Sequence, residues 1–598
     1  MTSWREAITG LNLELGTLPS FWQNIRRMMK KCVFSLGPFM GLVLVLLMGC
    51  SKNDPQKSEP GPKTNELGTE VTKTATQDSL VAKFHWLGKK QLFAESNATN
   101  FVAIWKLPES AKLEAQTLDK LSTAPWRLLQ AATPLSNAPV ALLRPLLDDL
   151  VQAESYLEVR GATNQPAELV FAIRLDPDRA ALWQTNLPLV LKSLIPSATS
   201  QTRDTQLQSP DLILDLQYST INVQFARSGD WTLLALSDSR IGNQDARLLA
   251  DFGDRIQRSG IPFPTRTTNY WVEAQGDAKR FGKLFKLDWS LPENFPYLSM
   301  AAIGEGSRIR TRASLDFPNL APVEMEAWNV PTNLIHDPLI GFMAIRGFRP
   351  LLKSLTRWDD ARLGNPPNQA YFWSQNGAPL HFFAVPSQGA SNQFRLLSEF
   401  LIQKVNPMMV SNPKLNDLKY GNFERAADLS VRWRGIPFVS PNLALWGDSN
   451  NPVIFGGLFP NRLTNRPIPA VLMEQLRAET NLLAYDWEIS GTNELGLIQM
   501  TQISRFIFGR DRLSMTNNAA LPWLTALSTN LGESGTSLRL VSAKQITFSR
   551  ISSLGVTGAE LHLLADWLES PRFPKGFFSL RTQQEGTNAS NSALREVP

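Results

Sequence analysis

Four aromatic-rich stretches of the chain end in a glycine: "YLEVRG" at Gly161, "YWVEAQG" at Gly276, "YFWSQNG" at Gly377 and "YDWEISG" at Gly491. Consecutive spacings are uneven, yet alternate ones nearly agree, 216 residues from Gly161 to Gly377 and 215 from Gly276 to Gly491. "RPLLDDL" at Arg144 and "RPLLKSL" at Arg349 repeat with a shift of 205. After Gly161 and Gly377 come the apolar runs "ELVFAIRL" and "PLHFFAVP", the composition of strands covered on both faces. A helix follows each, and then a hairpin whose polar turn lies at 227–230 or 447–451. Landmarks that keep their order at this separation predict an α+β fold of mixed, mainly antiparallel sheets with packed helices. They also predict that a unit of about 215 residues occurs twice, as 140–345 and 346–575, the second with an insertion before "SLRLVSAKQITFSRI".

Local periodicity fills in parts of this frame. "LVAKFHWLG" alternates, with Ala82, Phe84 and Trp86 on one face and Lys83 and His85 on the other, the pattern of a half-buried strand. It opens an N-terminal strand–helix segment, 80–139. "LPESAKLEAQTLDKL" reads as a helix that starts at Pro108 and buries Leu113, Leu118 and Leu121. "SNQFRLLSEFLIQKVNP" has Phe394, Leu397, Leu401 and Val405 at helical spacing, closed by Pro407.

The chain ahead of this body is built differently. Residues 32–47, "CVFSLGPFMGLVLVLL", form an apolar run of sixteen residues behind Arg26, Arg27, Lys30 and Lys31. A spanning helix wants about twenty apolar residues, and Gly37, Pro38 and Gly41 weaken a long one. A basic region followed by a short apolar one is the plan of a secretory signal, with an uncleaved anchor as the alternative. Residues 1–49 are the leader, and Met28 or Met29 would start a leader of ordinary length.

Leu47-Met48-Gly49-Cys50 resembles the lipobox of bacterial lipoprotein precursors, with Met48 in place of the usual smaller residue. The resemblance implies cleavage between Gly49 and Cys50, acylation of Cys50, and the lipid bilayer as a partner. Ser51 follows the cysteine, where aspartate retains many lipoproteins at the inner membrane, so the outer membrane is the expected location. The body resembles only large secreted lipoproteins of unknown function, which implies no activity. Two acyl chains anchor stably where one is marginal. Residues 50–79 after the cleavage site, rich in Lys, Glu, Ser, Thr and Pro, cannot bury enough apolar surface to order themselves and read as a tether. The tail 576–598 reads the same way.

Composition narrows the chemistry. Of the two cysteines, Cys32 lies in the leader and Cys50 at the lipobox, so the processed body would hold no disulfide, thiolate nucleophile or cysteine metal site. From Cys50 onward there are 55 basic and 52 acidic side chains, a balance that argues against nucleic acid as a partner. The histidines, His85, His336, His381 and His562, are isolated in sequence and match no metal spacing. His336 precedes Asp337-Pro338, which reads as a helix cap and first turn; His381 reads as a core histidine; His562 would pair with Asp566 one helical turn on.

"SNPK", Ser411 to Lys414, matches S-x-x-K without its companion motifs and reads as a turn. Asp176 caps a helix, while Asp148-Asp149 and Asp359-Asp360 read as solvent-facing. No motif announces catalysis, and no cofactor is implied. Seventeen tryptophans against seven tyrosines are the remaining signal. Most read as core; Trp105, Trp126, Trp358 and Trp446, near turns or chain breaks, are the candidates for ligand contact. Three function classes remain open. A non-catalytic binding or envelope-assembly lipoprotein with a protein or glycan partner leads, ahead of a secreted hydrolase such as a glycosidase and a structural envelope component.

Overall fold

A computed structural model describes residues 80–574 except 129–137, 162–167, 195–200, 203–211, 219–220, 239–250, 257, 259–269, 286–290, 292–293, 321, 356–364, 376–381, 408–421, 434–439, 448–450, 460–463, 509–518 and 571–572. The leader, Gly49, Cys50, the tether, the tail, Trp358, Gly377, His381, Asp359-Asp360 and Ser411 to Lys414 therefore lie outside the described residues.

The fold is α+β, with antiparallel strand pairing and packed helices. Ten strands come first: β1 (Leu80–Trp86), β2 (Ser155–Arg160), β3 (Glu168–Arg174), β4 (Gln201–Thr202), β5 (Leu212–Tyr218), β6 (Ile221–Ser228), β7 (Trp231–Asp238), β8 (Val272–Gly276), β9 (Tyr297–Glu305) and β10 (Arg308–Asp316). Ten more follow: β11 (Leu339–Arg346), β12 (Gln369–Gln375), β13 (Phe382–Pro386), β14 (Phe423–Arg425), β15 (Val431–Trp433), β16 (Asn442–Trp446), β17 (Val453–Gly457), β18 (Leu482–Ile489), β19 (Glu533–Ser542) and β20 (Gln545–Ser552).

In the first run the spatial order is β4-β5-β6-β7-β3-β2-β1-β8-β9-β10. In the second it is β14-β15-β16-β17-β13-β12-β11-β18-β19-β20. The last strands of the two runs, β10 and β20, pair with each other from Ile309–Ser552 to Asp316–Gln545 and close the whole into one sheet.

Open sheets rarely exceed about ten strands, and a long unpaired edge invites association. Here the two long edges, β10 and β20, satisfy each other's backbone groups. The outer edges are β4, of two residues, and β14, of three with Glu424 and Arg425 on it. Short, charged edges offer little to a further strand.

Helices flank both faces. The described helices used below are α1 (Thr99–Trp105), α2 (Pro108–Leu128), α3 (Val140–Gln152), α4 (Pro177–Leu194), α5 (Ala278–Leu284), α6 (Arg349–Leu355), α7 (Ala390–Phe400), α8 (Ala470–Ala478), α9 (Ser490–Phe508), α10 (Ala520–Ser528) and α11 (Gly558–Leu568). In the first run, Tyr156, Ala172 and Leu233 pack against Phe252 and Ile256 of the helical segment 251–256. In the second, Phe342, Tyr371, Trp373 and Phe455 pack against Leu472 and Leu476 of α8. A third core joins Ile104 and Leu113 of the first run to Trp523, Leu527 and Leu561 of α10 and α11.

Several expectations meet their elements here. The two "RPLL" segments are in α3 and α6, each between the first and second strands of its run. "ELVFAIRL" and "PLHFFAVP" supply β3 and β13, followed by α4 and α7. The strand at 80–86 does not stand apart in an N-terminal segment: it pairs with β2 on one side and β8 on the other. It is also covered on both faces, because His85 is buried against Glu154.

His336 precedes no helix. Asp337 accepts from Leu339 N–H at 3.2 Å and turns the chain into β11. Asp149 is buried: Arg179 donates to it bidentately, and Trp183 donates through Nε1 at 2.8 Å. These donors offset the hydration that the carboxylate loses on burial, an arrangement that the local sequence of α3 cannot reveal. Asp176 caps α4 by accepting from Arg179 N–H at 2.9 Å.

Candidate functional site

Alternation along β10, β20, β19 and β18 sorts the seam into two faces. On one face, register aligns Arg310, Ile551, Gly535 and Trp487 in a row, and Arg312, Ser549, Ser537 and Tyr485 in the next. All of these but Arg312 line an open recess of about 260 Å³, lined also by Arg308, Gln475 of α8, Glu533 and Arg539. Gly535 is among the residues that line it. A Cβ built there would meet no heavy atom within 4 Å, so the volume above that strand position is empty. Glycine within a strand costs order and side-chain packing, and often marks a place where something approaches the backbone.

The arginines are held to different degrees. Arg310 donates to Glu305 through both Nε and Nη2. That hydrogen bond, with the charges of Arg312 and Arg308 added, holds the Glu305 carboxyl below the usual range. Arg539 donates to Glu479 and to Ser537 Oγ, and lowers the Glu479 pKa in the same way. Arg308 and Arg312 are exposed. Trp487 also packs on the core of the second run, so its ring is braced from behind.

The opposite face carries a second polar row, Thr311, Arg550, Thr536 and Asp486. Arg550 is buried, donating to Thr536 Oγ1 at 2.9 Å and bidentately to Glu560. Glu560 completes a capping box with Thr557 at the start of α11. Glu488 is saturated: it accepts from Ser490, Asn493, Ser534 and Gly558 N–H, and so anchors the N-terminal end of α11. Asp486 is different. Burial, reinforced by the Glu488 charge, pushes its carboxyl up to about 7. Glu494, fully buried beside His562 at 3.1 Å, is also raised, by burial first.

A third polar cluster lies inside the first run. His85 Nε2 is 3.1 Å from Glu154, and its Nδ1 is 3.8 Å from Glu273. Burial pulls its pKa down, but the hydrogen bonds and charges of the two glutamates outweigh that and raise it. Glu158 beside it accepts from Arg160, Arg255 and Tyr156, and burial pushes the Tyr156 phenol up. Lys83 is lowered by burial, against the pull of Glu158 and Glu273.

Of the tryptophans singled out in the sequence, Trp446 is 40 % exposed at the end of β16. Trp105 is partly buried under Lys89, with Phe93 and Phe101 edge-on to its ring, and its Nε1 donates to Glu114. Trp126 is a correction. It is 4 % exposed and donates to Ser193 Oγ at 3.0 Å, because the helix α2 that carries it is packed against α3 and runs longer than its apolar stripe indicates. Neither the seam recess nor a second one near Arg349 is lined by Trp105, Trp126 or Trp446. His336 Nε2 meets Asn333 O at 3.1 Å, and His562 meets Glu494 on α9.

Sequence reasoning passed over Gly535, Arg308 and Asp486. The missing side chain in the alternating stretch "ESGTSLRL" was the available signal for the first. The linings of this recess and of a second one of about 320 Å³ near Arg349 hold one carboxylate each, Glu533 and Glu326. Among the described residues no cluster of three or more His, Cys, Asp or Glu could hold a metal ion. Among them, too, no helix is long and apolar enough to cross a membrane. No protein-family model, curated protein or solved structure matches this chain.

Proposed function

We propose that the chain is a lipid-anchored envelope protein that binds a ligand or partner without transforming it, at the seam between two halves of a diverged internal repeat. The halves are 80–316 and 339–552 rather than the 140–345 and 346–575 expected from the sequence, because β1 pairs inside the first run and β11 opens the second. Their strand orders agree throughout. Each opening strand enters its pairing through a bulge, between Leu80 and Ala82 in one and between Leu339 and Gly341 in the other. Each is followed by a glycine with positive φ, Gly88 at 90° and Gly347 at 84°. Read along the pairings from those bulges, Tyr156 corresponds to Tyr371, and the two are 1 % and 0 % exposed.

The same register sets Gly276 against Glu488, three positions before Gly491, so those glycines are near neighbours in the repeat and not equivalents. Unequal spacing has a local cause. The first half carries α1, α2 and α3 between its first two strands, and the second carries α9 and α10 between its eighth and ninth.

One observation carries the binding reading: the recess is lined from both halves, by β10 of the first and by α8, β18, β19 and β20 of the second. Interfaces between units are favoured ligand sites. The anchor rests on Leu47-Met48-Gly49-Cys50, and the tether gives the body reach from the bilayer. A hydrolase is the second reading, and Asp486 favours it, since a carboxyl poised near neutrality can act as an acid. A glycosidase needs two carboxyls flanking one bond, and the neighbouring Glu488 is occupied by four donors. The test is capture from the envelope of the producing cell by the full chain and by Gly535→Val, beside a panel of glycoside and ester substrates. Capture that Gly535→Val abolishes supports binding at the seam; turnover lost in Asp486→Asn overturns it in favour of the enzyme.

A further inference from the structure

We propose that the seam recess recognises a single sugar ring carrying an anionic oxygen group, a carboxylate or a phosphate. This deepens the binding reading and rests on it. The recess offers the three chemistries such a ligand needs within one small volume. Arg308, exposed and engaged in no hydrogen bond or ion pair among the described residues, presents a planar fork, the group that matches a carboxylate or phosphate bidentately. Arg310, two residues on along β10, and Arg539, further along on β19, also line the recess, each already oriented by a glutamate, Glu305 and Glu479. Ser549, Gln475 and Glu533 add donors and acceptors at the rim, suited to ring hydroxyls.

The apolar surface comes from Trp487. It stands directly across from Gly535, and the absent side chain opens a place beside the indole. A sugar's C–H face packs on such a ring while its hydroxyls keep their polar partners. The volume, about 260 Å³, falls just under the usual range for drug-sized ligands, which favours one ring over an extended chain lying in the recess.

The repeat supplies an internal control. Following the pairing register, the positions of Arg308, Arg310 and Arg539 are taken in the other half by Gln545, Thr547 and Ile303, and that of Gly535 by Ser299. The same strands therefore form and pair without the arginines and without the glycine. Neither the arginines nor the glycine is a demand of the sheet. Guanidinium groups lining one recess with an empty strand position suit an anionic ligand.

The experiment is titration calorimetry of the full chain in detergent with three probes: galacturonic acid, glucose 6-phosphate and glucose. At least one anionic sugar binds about tenfold or more tightly than glucose, and raised salt weakens it. Preference for galacturonic acid identifies a carboxylate as the anion, and preference for glucose 6-phosphate a phosphate. Arg308→Ala, on an exposed side chain, and Gly535→Val, which fills open space at an ordinary strand conformation, each weaken that binding about tenfold with the thermal midpoint unchanged. Equal affinity for the three sugars, or anion binding that survives Gly535→Val, overturns the proposal. If no sugar binds but envelope capture is still lost in Gly535→Val, the ligand class is wrong and the seam reading stands; if capture also survives, both fall.

Discussion

Glu488 on β18 accepts the N–H of Gly558, the first residue of α11, at 2.6 Å across seventy residues of chain. A carboxylate at a helix N-terminus meets both the free N–H groups and the positive end of the dipole. Since Ser490, Asn493 and Ser534 donate to the same group, Glu488 ties α9, α11 and β19 to one point. Glu488→Leu leaves these buried donors without an acceptor and costs on the order of 3 kcal/mol or more. Glu533→Leu on the neighbouring strand changes stability by less than about 0.5 kcal/mol, because Glu533 is exposed. Chemical denaturation of the two variants checks the contrast; similar midpoints would remove Glu488 from its role.

Asp486 makes stability fall as pH rises. Its folded-state pKa, about 7, lies above the ordinary unfolded value of about 3.9. The protonated form is thus the one the fold prefers: its contribution is complete below about pH 4 and is lost as pH climbs through about 7. Asp486→Asn should therefore gain stability at pH 8.5, by up to about 4 kcal/mol, and about a third as much at pH 5. Equal thermal shifts at the two pH values would show that the carboxyl is not poised in this way.

His85 acts in the same direction from the first run of strands. Its pKa is raised, so its stabilising contribution is full below the unfolded value of about 6.5 and disappears as pH rises through the folded one. Proton NMR should show His85 titrating above a free histidine, and His85→Gln should flatten the pH dependence of the thermal midpoint above neutrality. A titration at or below that of a free imidazole would mean that burial outweighs Glu154 and Glu273.

Anchoring is tested by mass spectrometry of the native protein. An acylated amino terminus at Cys50 is the expected species, and Cys50→Ala should release the body from the membrane fraction. A main species with an intact peptide across Gly49-Cys50 would refute processing at that bond.

Local elements were legible in the sequence because their signals are local. Pro108 starts a helix, and Phe394, Leu397 and Leu401 share a core face as their spacing indicates. The burial of Asp149, Trp126 and His85 was not legible. Each is decided by a partner far along the chain, Arg179, Ser193 and Glu154, and an isolated charged or aromatic residue reads the same whether or not that partner exists. The recess was hidden for a related reason, since Arg310 and Trp487 fall in one row only through the pairing of β10 with β20, strands more than 200 residues apart.

The most direct measurement of binding at the seam is hydrogen–deuterium exchange of the full chain with and without solubilised envelope material, repeated for Gly535→Val. The account predicts slowed exchange in peptides covering 308–312, 485–487 and 533–551, and loss of that protection in the variant. Protection confined to other regions, such as 99–128 or the second recess near Arg349, or seam protection that persists in Gly535→Val, would contradict it.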